Sequence, residues 1–440
     1  MLAVLICVGG IIALMLFGVP VAFAFWGAGL VLMLATGTEP MFFLPYGFAL
    51  TMGFSLLALP LFIALGGVVG EAKIADVLLG FVESQLRRFK SYVGAVTIVT
   101  CALFGSISGS STSAIATIGR LMIPRMVAAG YPRGHATGLV ACSSMLTLLI
   151  PPSVTMIVFA LMAHLSVAAC WAATVVPGIL ITILYVIINA RVIKNVPTVK
   201  LLPPISFREQ HRQVMKSTRR AIPALLMPIV LLGGIYGGIW TPTEGGSVAV
   251  VYALVVGFFV YRGLTIRNTL SSFRASAAIT GSIIIVLYFL FCFSQLMVQM
   301  RVTDRLIELI VTIATNKYVV LLLLNLLILI IGMIMDDISG AIVVAVICMP
   351  IVGTFGLDPI HFAALEGVVL GLGNVTPPVA PMLYMAGKIG GDLPLNEYLW
   401  PTMRFAIFGH LPVILLVTFL PILATWLPSL LGLTTAVYYL

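Results

Sequence analysis

Residues 104–119 read FGSISGSSTSAIATIG, and this small, polar stretch stands inside an apolar run that extends over about residues 93–118. A short apolar arm lies on each side of its centre, residues 105–113. Irregular backbone at membrane depth is tolerated only where protein or a watery cavity surrounds it. The pattern therefore predicts a re-entrant helical hairpin, which enters the membrane and leaves it on the same side.

A second run of the same shape covers residues 318–351, with the tip sequence MDDISG at residues 335–340. A shift of 226 residues superimposes the two hairpins, and it pairs Tyr92 with Tyr318, Ser113 with Ser339, Pro124 with Pro350, and Pro151-Pro152 with Pro377-Pro378. The number of spans between the copies gives them opposite orientations. The sequence thus predicts an inverted-topology repeat, the common plan of secondary transporters, whose sites lie near the midplane where discontinuous helices meet.

The composition agrees with a membrane protein. Of 440 residues, 61% are apolar and 8% are charged, whereas soluble domains carry about 25% charged residues. The apolar runs are long enough to span a bilayer and lack the alternation of a β-barrel, so the predicted fold class is an all-α polytopic membrane protein. The sequence contains no Walker A motif and no nucleophile–base constellation, so neither ATP hydrolysis nor an enzyme is expected.

Basic residues set the predicted orientation. The net charge is +9, and one segment, residues 191–220, opposes only Glu209 to eight basic residues: Arg191, Lys194, Lys200, Arg208, Arg212, Lys216, Arg219 and Arg220. Such a cluster could bind nucleic acid or anionic lipid, but in so apolar a chain the positive-inside rule is the simplest explanation. Residues 195–215 are therefore predicted to be cytoplasmic and residues 300–316 periplasmic.

Each Pro-Pro pair lies in the middle of an apolar run. Proline removes an amide donor and clashes with the preceding turn, so a pair opens the helix and frees carbonyl oxygens. Together with nearby hydroxyls, these oxygens suit a small alkali cation. A simple helix kink with serine back-bonding is the alternative for an isolated motif. Two related copies, each opposite a polar hairpin, favour ion binding.

The shift of 226 residues relates two predicted cation sites and leaves the hairpin tips between them for the substrate. The first site comprises Ser106, Gly109, Thr147, Ile150 and Ser153, and the second comprises Gly332, Met335, Gly373, Thr376 and Val379. Most ligands in these sets must be main-chain carbonyls. The predicted substrate contacts are Ser110, Ser111, Thr112, Ser113, Asp337, Ser339 and Asn374.

Carboxyl groups inside apolar segments are costly and usually functional. Asp336 and Asp337 are adjacent, so on a helix they point in different directions and are expected to have different roles. One could bind a cation or carry a proton, while the other could cap the second half-helix. Glu366 lies well inside an apolar run and could face a ligand or form a salt bridge.

At these motifs the chain resembles the large membrane subunit of the tripartite ATP-independent periplasmic (TRAP) transporters, within the ion transporter superfamily. The resemblance spans nearly the whole chain and rests on FGSISGSSTSAIATIG from Phe104, LIPPSVTMIVF from Leu149, IWTPTEGGSVAVVYALVVGFFVYR from Ile239, and GLGNVTPPVAPMLY from Gly371. It implies a bacterial inner-membrane location, a small four-helix membrane subunit and a periplasmic substrate-binding protein. It also implies sodium-driven uptake of a small carboxylate by an elevator motion, with sodium as coupling ion and no other cofactor.

One departure concerns the second hairpin, which in this family usually reads MDP followed by a threonine. Here residues 335–338 read MDDI, which puts the substrate contacts at that tip in doubt. Rival interpretations are a stand-alone or proton-coupled carboxylate transporter of the same fold and, from another class, an ion channel.

The predicted domain plan alternates scaffold and transport segments. Residues 1–91 form scaffold and a first arm helix, and residues 92–165 form the first part of the transport domain. Residues 166–317 form scaffold with the basic cytoplasmic loop 191–220 and a second arm helix. Residues 318–388 form the second part of the transport domain, and residues 389–440 return to scaffold.

Overall fold

The computed structural model describes residues 10–199, 206–299 and 316–433, apart from residues 12, 16 and 38. Every regular element in these ranges is a helix, which confirms the all-α prediction. Eight of the described helices are long and apolar enough to cross a membrane, and there are nine spans if one bent pair is counted as a single span. The predicted second arm helix, residues 303–315, and the predicted periplasmic segment, residues 300–316, fall outside the described residues except for Asn316.

The helices of the first half are listed by their bounds. They are Val21–Thr36, Pro40–Thr51, the 3-10 turn Phe54–Leu57, Ala58–Glu71, Ile74–Leu86, Tyr92–Ser108, Ser111–Ala114, the π segment Ile115–Gly119, Arg120–Ala128, Arg133–Ser144, Leu146–Leu149, Val154–Met162 and Val167–Lys194. Gly18 has a φ of 84° just before the first of them. Gly18 and Pro20 therefore interrupt the N-terminal apolar run.

The second half continues after the undescribed residues 200–205. Its helices are Phe207–Tyr236, Pro242–Val255, the π segment Val256–Val260, Ile266–Gln299, Lys317–Ile334, Asp337–Thr354, Pro359–Gly373, Pro381–Ile389, Leu395–Phe405, the π segment Ala406–His410, Leu411–Phe419 and Ile422–Leu430.

The repeat predicted from the sequence is visible in the helix bounds. Tyr92–Ser108 and Lys317–Ile334 both end at the residue that the shift of 226 makes equivalent. The second arms end at equivalent residues too, Ala128 and Thr354. The helices that follow start at Arg133 and Pro359, again 226 residues apart. Two copies of one sequence pattern have thus folded into two copies of one structure.

The basic segment 191–220 differs from the predicted loop, because most of it is helical. Arg191 and Lys194 lie in the last turn of Val167–Lys194, and Phe207–Tyr236 begins thirteen residues after that helix ends. Residues 207–220 are rich in Arg, Gln, Lys and Met, which have good helix propensity. The helix Phe207–Tyr236 therefore begins with a polar, basic first half that continues into its apolar half.

The longest helix, Ile266–Gln299, packs along Val21–Thr36, Pro40–Thr51 and Ala58–Glu71. Aromatic pairs join these helices, with the ring centroids of Phe25 and Phe293 5.4 Å apart and those of Trp26 and Phe289 4.9 Å apart. A second body of helices surrounds the hairpins. In it the helix Pro359–Gly373 is buried along almost its whole length and packs on Lys317–Ile334 and Val167–Lys194.

Candidate ion and substrate site between the hairpin tips

The first hairpin tip is a two-residue reversal between Tyr92–Ser108 and Ser111–Ala114. Gly109 adopts a φ of 62°, in the left-handed region that favours glycine. Ser110 then starts the second arm as an N-cap, because its hydroxyl accepts a hydrogen bond of 3.3 Å from the Ser113 amide. A β-carbon on Gly109 would also lie 2.7 Å from the Pro152 carbonyl oxygen. This close approach sets the tip directly against the first broken helix.

The second tip is also followed by an N-capped helix, and here the capping group is a carboxylate, which is a stronger hydrogen-bond acceptor than a hydroxyl. Asp336 is the N-cap of Asp337–Thr354, and its carboxylate accepts hydrogen bonds of 3.2 Å from the amides of Ile338 and Ser339. Ser110 and Asp336 are equivalent under the repeat. The structure therefore divides the two adjacent carboxylates: Asp336 caps the half-helix, while the buried Asp337 points elsewhere.

The two tips meet each other. The Ser111 hydroxyl donates a hydrogen bond of 2.5 Å to the Asp337 carboxylate, and both residues are buried. Ser111 and Asp337 are themselves equivalent positions of the repeat. Two equivalent positions of a two-fold arrangement can touch only close to its axis, so the pseudo-two-fold axis passes between the tips.

The first broken helix lies beside the first tip. Leu146–Leu149 ends at the Pro151-Pro152 pair, whose peptide bond is cis, and the chain resumes at Val154 with a bend of 47°. The Val154 amide donates 3.0 Å to the Gly109 carbonyl of the tip. The Trp171 indole donates 3.0 Å to the Ser153 carbonyl, which holds the break from the other side.

The second broken helix has the same cis Pro-Pro pair and also contacts its hairpin closely. Pro359–Gly373 ends before Pro377-Pro378, and the amides of Val379 and Ala380 both lie 3.1 Å from the Met333 carbonyl oxygen. A β-carbon on Gly332 would lie 2.9 Å from the Leu370 carbonyl oxygen. Gly332 and Gly373, which lack side chains, allow these backbones to approach so closely.

Both predicted cation sets are gathered around these breaks. In the first set, Gly109 lies against Pro152, and the neighbour of Ser106, Gly105, packs against Thr147. Within the second set Gly332 packs against Gly373. The hydroxyls of Ser106, Thr147 and Thr376 each donate to a carbonyl of their own helix, at 2.7, 2.8 and 2.8 Å. Their lone pairs remain available as oxygen ligands.

The predicted substrate residues surround the point where the tips meet. Ser110 and Thr112 share a hydroxyl–hydroxyl hydrogen bond of 2.9 Å, and the Ser339 amide is held by the Asp336 cap. The Asn374 side chain is fully buried, and its Oδ1 atom has no hydrogen-bond partner among the described residues. An amide oxygen in this condition is available to a ligand.

The predicted sets omit two serines whose side-chain oxygens are, like Oδ1 of Asn374, buried and without a hydrogen-bond partner among the described residues. The hydroxyls of Ser108, beside the first tip, and Ser143, before the first break, are fully buried without a hydrogen-bond partner in the described part of the chain. Both belong to polar stretches that the sequence marks as unusual for an apolar run. Which hydroxyls bond back to their helix and which stay free depends on rotamers that no residue pattern reveals.

A cavity of about 750 Å³ leads to the first tip. Ser113 and Arg120 of the hairpin line one side, and Gly67 and Arg267 line the other. Lys73 also lines it and, like Asp76, is shared with an adjacent cavity that contains the basic residues Arg87, Lys216 and Arg220. The cavity therefore opens on the basic end of the molecule.

Comparison with known proteins agrees with this architecture. The sequence model of the family described as tripartite ATP-independent periplasmic transporter, DctM component, matches residues 8–423. The C4-dicarboxylate TRAP transporter large permease protein DctM of Pseudomonas aeruginosa is 29% identical over 87% of this chain and 88% of its own length. The sialic acid TRAP transporter large permease protein SiaM of Vibrio cholerae is also 29% identical, over 88% of this chain and 90% of its own length.

A solved structure supports the fold alone. The YdaH transporter of Alcanivorax borkumensis matches with a TM-score of 0.59 over 84% of this chain and 85% of its own, at 16% sequence identity. The family match covers most of the sequence, and the named relatives are transporter permeases rather than enzymes. The chain is a multi-pass membrane protein that belongs to the DctM component family of the tripartite ATP-independent periplasmic transporters.

Proposed function

We propose that this chain is the large transmembrane subunit of a sodium-coupled transporter that imports a small organic acid across the bacterial inner membrane. The observation that carries the proposal is the contact between Ser111 and Asp337, where two hairpin tips meet with a broken helix beside each. Discontinuous helices that meet at the interface of inverted repeats are where secondary transporters bind ions and substrate.

The sodium ions would bind at the two helix breaks. Proline at position 151 cannot supply the helical amide partner of the Thr147 carbonyl, and Pro377 cannot supply that of the Gly373 carbonyl. The Gly373 carbonyl instead accepts a hydrogen bond of 2.9 Å from the Thr376 amide and keeps its second lone pair for a cation. Thr147 and Gly373 are equivalent, so each break offers an oxygen at the same place. Hard oxygen ligands of this kind suit a sodium ion.

The substrate would bind between the ions, at the start of the second hairpin arms. A helix N-terminus offers free amide donors and a partial positive charge to a carboxylate. Asp337 opposes this attraction because it is itself an anion at the tip when ionised. A sodium ion bound nearby would offset that charge, and this gives a physical reason for the ion to bind before the anion.

The cavity beside Ser113 gives the substrate a way out. By the positive-inside rule the basic end of the molecule would face the cytoplasm, and an inward-open carrier would have its cavity on that side. Uptake would then require an elevator motion of the hairpins and broken helices against the scaffold formed around Ile266–Gln299. A small membrane subunit and a periplasmic binding protein would be the partners, as the TRAP family implies.

Reconstitution in liposomes tests this function. The chain is purified with the four-helix subunit and binding protein of its own operon, and uptake of radiolabelled succinate and sialic acid is measured with and without a sodium gradient. We expect uptake of one organic acid that needs both the gradient and the binding protein and does not respond to ATP. Equal uptake in sodium-free buffer under a proton gradient would reject sodium coupling.

A further inference from the structure

Glu366 is a carboxyl group enclosed in the interior of the hairpin body. It lies in the middle of Pro359–Gly373, its exposed fraction is 0%, and the residues on either side of it in this helix are buried as well. Neither of its carboxyl oxygens has a hydrogen-bond partner among the described residues. An isolated carboxylate in such surroundings would be very costly, and a group of this kind takes up a proton instead.

The face of the helix that carries Glu366 is packed by apolar groups. One turn earlier, Phe362 stacks near Phe159 with ring centroids 6.3 Å apart. One turn later, the Leu370 side chain lies 2.7 Å from where a β-carbon on Gly340 would stand. Glu366 thus faces the space between the first broken helix and the second arm of the second hairpin.

The titratable groups around Glu366 offer it no positive charge. Those within electrostatic range are Asp337 and Cys348 on Asp337–Thr354 and Cys170 on Val167–Lys194. On Ala406–His410, His410 is already bonded through Nε2 to the Val368 carbonyl at 2.8 Å and through Nδ1 to the Tyr185 hydroxyl at 2.9 Å. His361, on the same helix as Glu366, bonds the Val417 carbonyl at 2.7 Å.

The remaining elements packed on this helix contribute no charge in its middle. Leu146–Leu149, Val154–Met162, Leu411–Phe419 and Ile422–Leu430 contain no titratable side chain, and Lys317–Ile334 carries Lys317 and Tyr318 only at its far end. The described residues contain no group of three or more His, Cys, Asp or Glu side chains that could hold a metal ion. A proton needs one carboxyl oxygen, whereas a metal cation needs several ligands.

We propose that Glu366 is a proton-binding site inside the transport body, separate from the cation sites at the helix breaks. The proton binds to a carboxyl oxygen of Glu366 and neutralises it. Proton binding itself does not depend on the transport function proposed above.

Infrared difference spectroscopy of the purified chain in lipid tests the site without any substrate. A step to higher pH should bleach the C=O stretch of a protonated carboxylic acid in the wild type. Labelling all glutamates with ¹³C at the side-chain carboxyl carbon should shift the frequency of this band. The shift assigns the band to a glutamic rather than an aspartic acid, and it is measured on the wild type, so it does not depend on whether a variant folds. Glu366→Gln should abolish the bleached band.

Asp337→Asn is the control for the tip, since it changes a carboxyl group on another helix and should leave the glutamate band in place. The proposal is overturned if the wild type shows no carboxylic acid band that responds to pH. It is equally overturned if the band ignores the glutamate label or persists unchanged in Glu366→Gln.

Discussion

Ser111 and Asp337 stand 226 residues apart, which is the shift that relates the two repeats, and their side chains are joined by a hydrogen bond of 2.5 Å. The residue in one repeat therefore touches its own counterpart in the other. A mutation at either position alters the same point of the molecule, where both hairpins end. The contact is also chemically asymmetric, because one partner is a hydroxyl donor and the other a carboxylate acceptor.

We expect the hydrogen bond between Ser111 and Asp337 to stabilise the contact between the two hairpin tips. Hydrogen bonds to charged groups contribute about 1.5–3 kcal/mol, so Ser111→Ala and Asp337→Ala should each lower the thermal unfolding temperature of the purified protein. The double variant should lose less than the sum of the two single losses, because the second change has no bond left to break. If the two decreases in unfolding temperature simply add in the double variant, the two side chains do not interact in the purified protein.

The tight contact between Gly332 and Gly373 gives a second prediction. A β-carbon on Gly332 would lie 2.9 Å from the Leu370 carbonyl oxygen, whereas one on Gly353, in the other arm of the hairpin, would meet nothing within 4 Å. Gly332→Ala should therefore destabilise the protein by about 1–3 kcal/mol, as expected for overpacking.

Gly353→Ala is the matched control for that change. It should leave stability unchanged or raise it by up to about 1 kcal/mol, since alanine has the higher helix propensity. Thermal unfolding in the same detergent measures both variants. Equal effects of the two substitutions would show that the hairpin does not pack on the second broken helix as described.

The hairpins, the repeat and both helix breaks could be predicted from the sequence because each depends on backbone chemistry. Pro151-Pro152 and Pro377-Pro378 cannot continue a helix, and small polar residues at a tip cannot face lipid. Different roles were expected for Asp336 and Asp337, but which of the two caps the half-helix could not be predicted, since adjacent acids look alike in a sequence. Only the tertiary fold brings Ser111 to one of them.

The extent of the basic helix and the isolation of Glu366 were also beyond the sequence. Charge pattern predicts the side of the membrane on which residues 207–220 lie, but it does not say whether they form a loop or a helix. For Glu366, the sequence left a ligand-facing role and a salt bridge open. The structure places no hydrogen-bond partner beside it among the described residues, because its neighbours come from distant helices.

The cavity beside Ser113 gives a prediction about release of the proposed organic acid. Arg120 and Arg267 line the cavity that reaches Ser113, and a charge at contact distance contributes about 1 kcal/mol even in water. Arg120→Gln and Arg267→Gln should each raise the internal substrate concentration for half-maximal exchange in proteoliposomes by about five-fold. Arg212→Gln, which removes a basic residue outside this cavity, should leave that concentration unchanged.

The orientation of the whole chain can be tested on the two ends of one helix. Met215 is exposed in the basic first half of Phe207–Tyr236, and Ile239 is exposed just beyond its other end. In a cysteine-free background, Ile239→Cys should react with a membrane-impermeant maleimide added outside spheroplasts, because the basic end is retained in the cytoplasm. Met215→Cys should react only after the membrane is opened, and the reverse pattern would invert the predicted topology.

The last prediction concerns the proposed second sodium site, to which Thr376 would contribute a hydroxyl. Its Oγ1 atom donates to the Leu372 carbonyl at 2.8 Å, which leaves the oxygen lone pairs free for a cation. Thr376→Val keeps the volume and removes that oxygen, so it should weaken sodium binding.

Sodium raises the unfolding temperature of the protein in proportion to RT ln(1 + [Na⁺]/Kd), and the variant should need a higher sodium concentration for the same rise. Thr376→Ser, which retains the hydroxyl, should behave like the wild type. Thr147→Val should have a smaller effect, because the proposed ligand at this position is the carbonyl that Pro151 leaves without a partner. If Thr376→Val and Thr376→Ser require the same sodium concentration, the hydroxyl is not a ligand and the site must rest on main-chain oxygens alone.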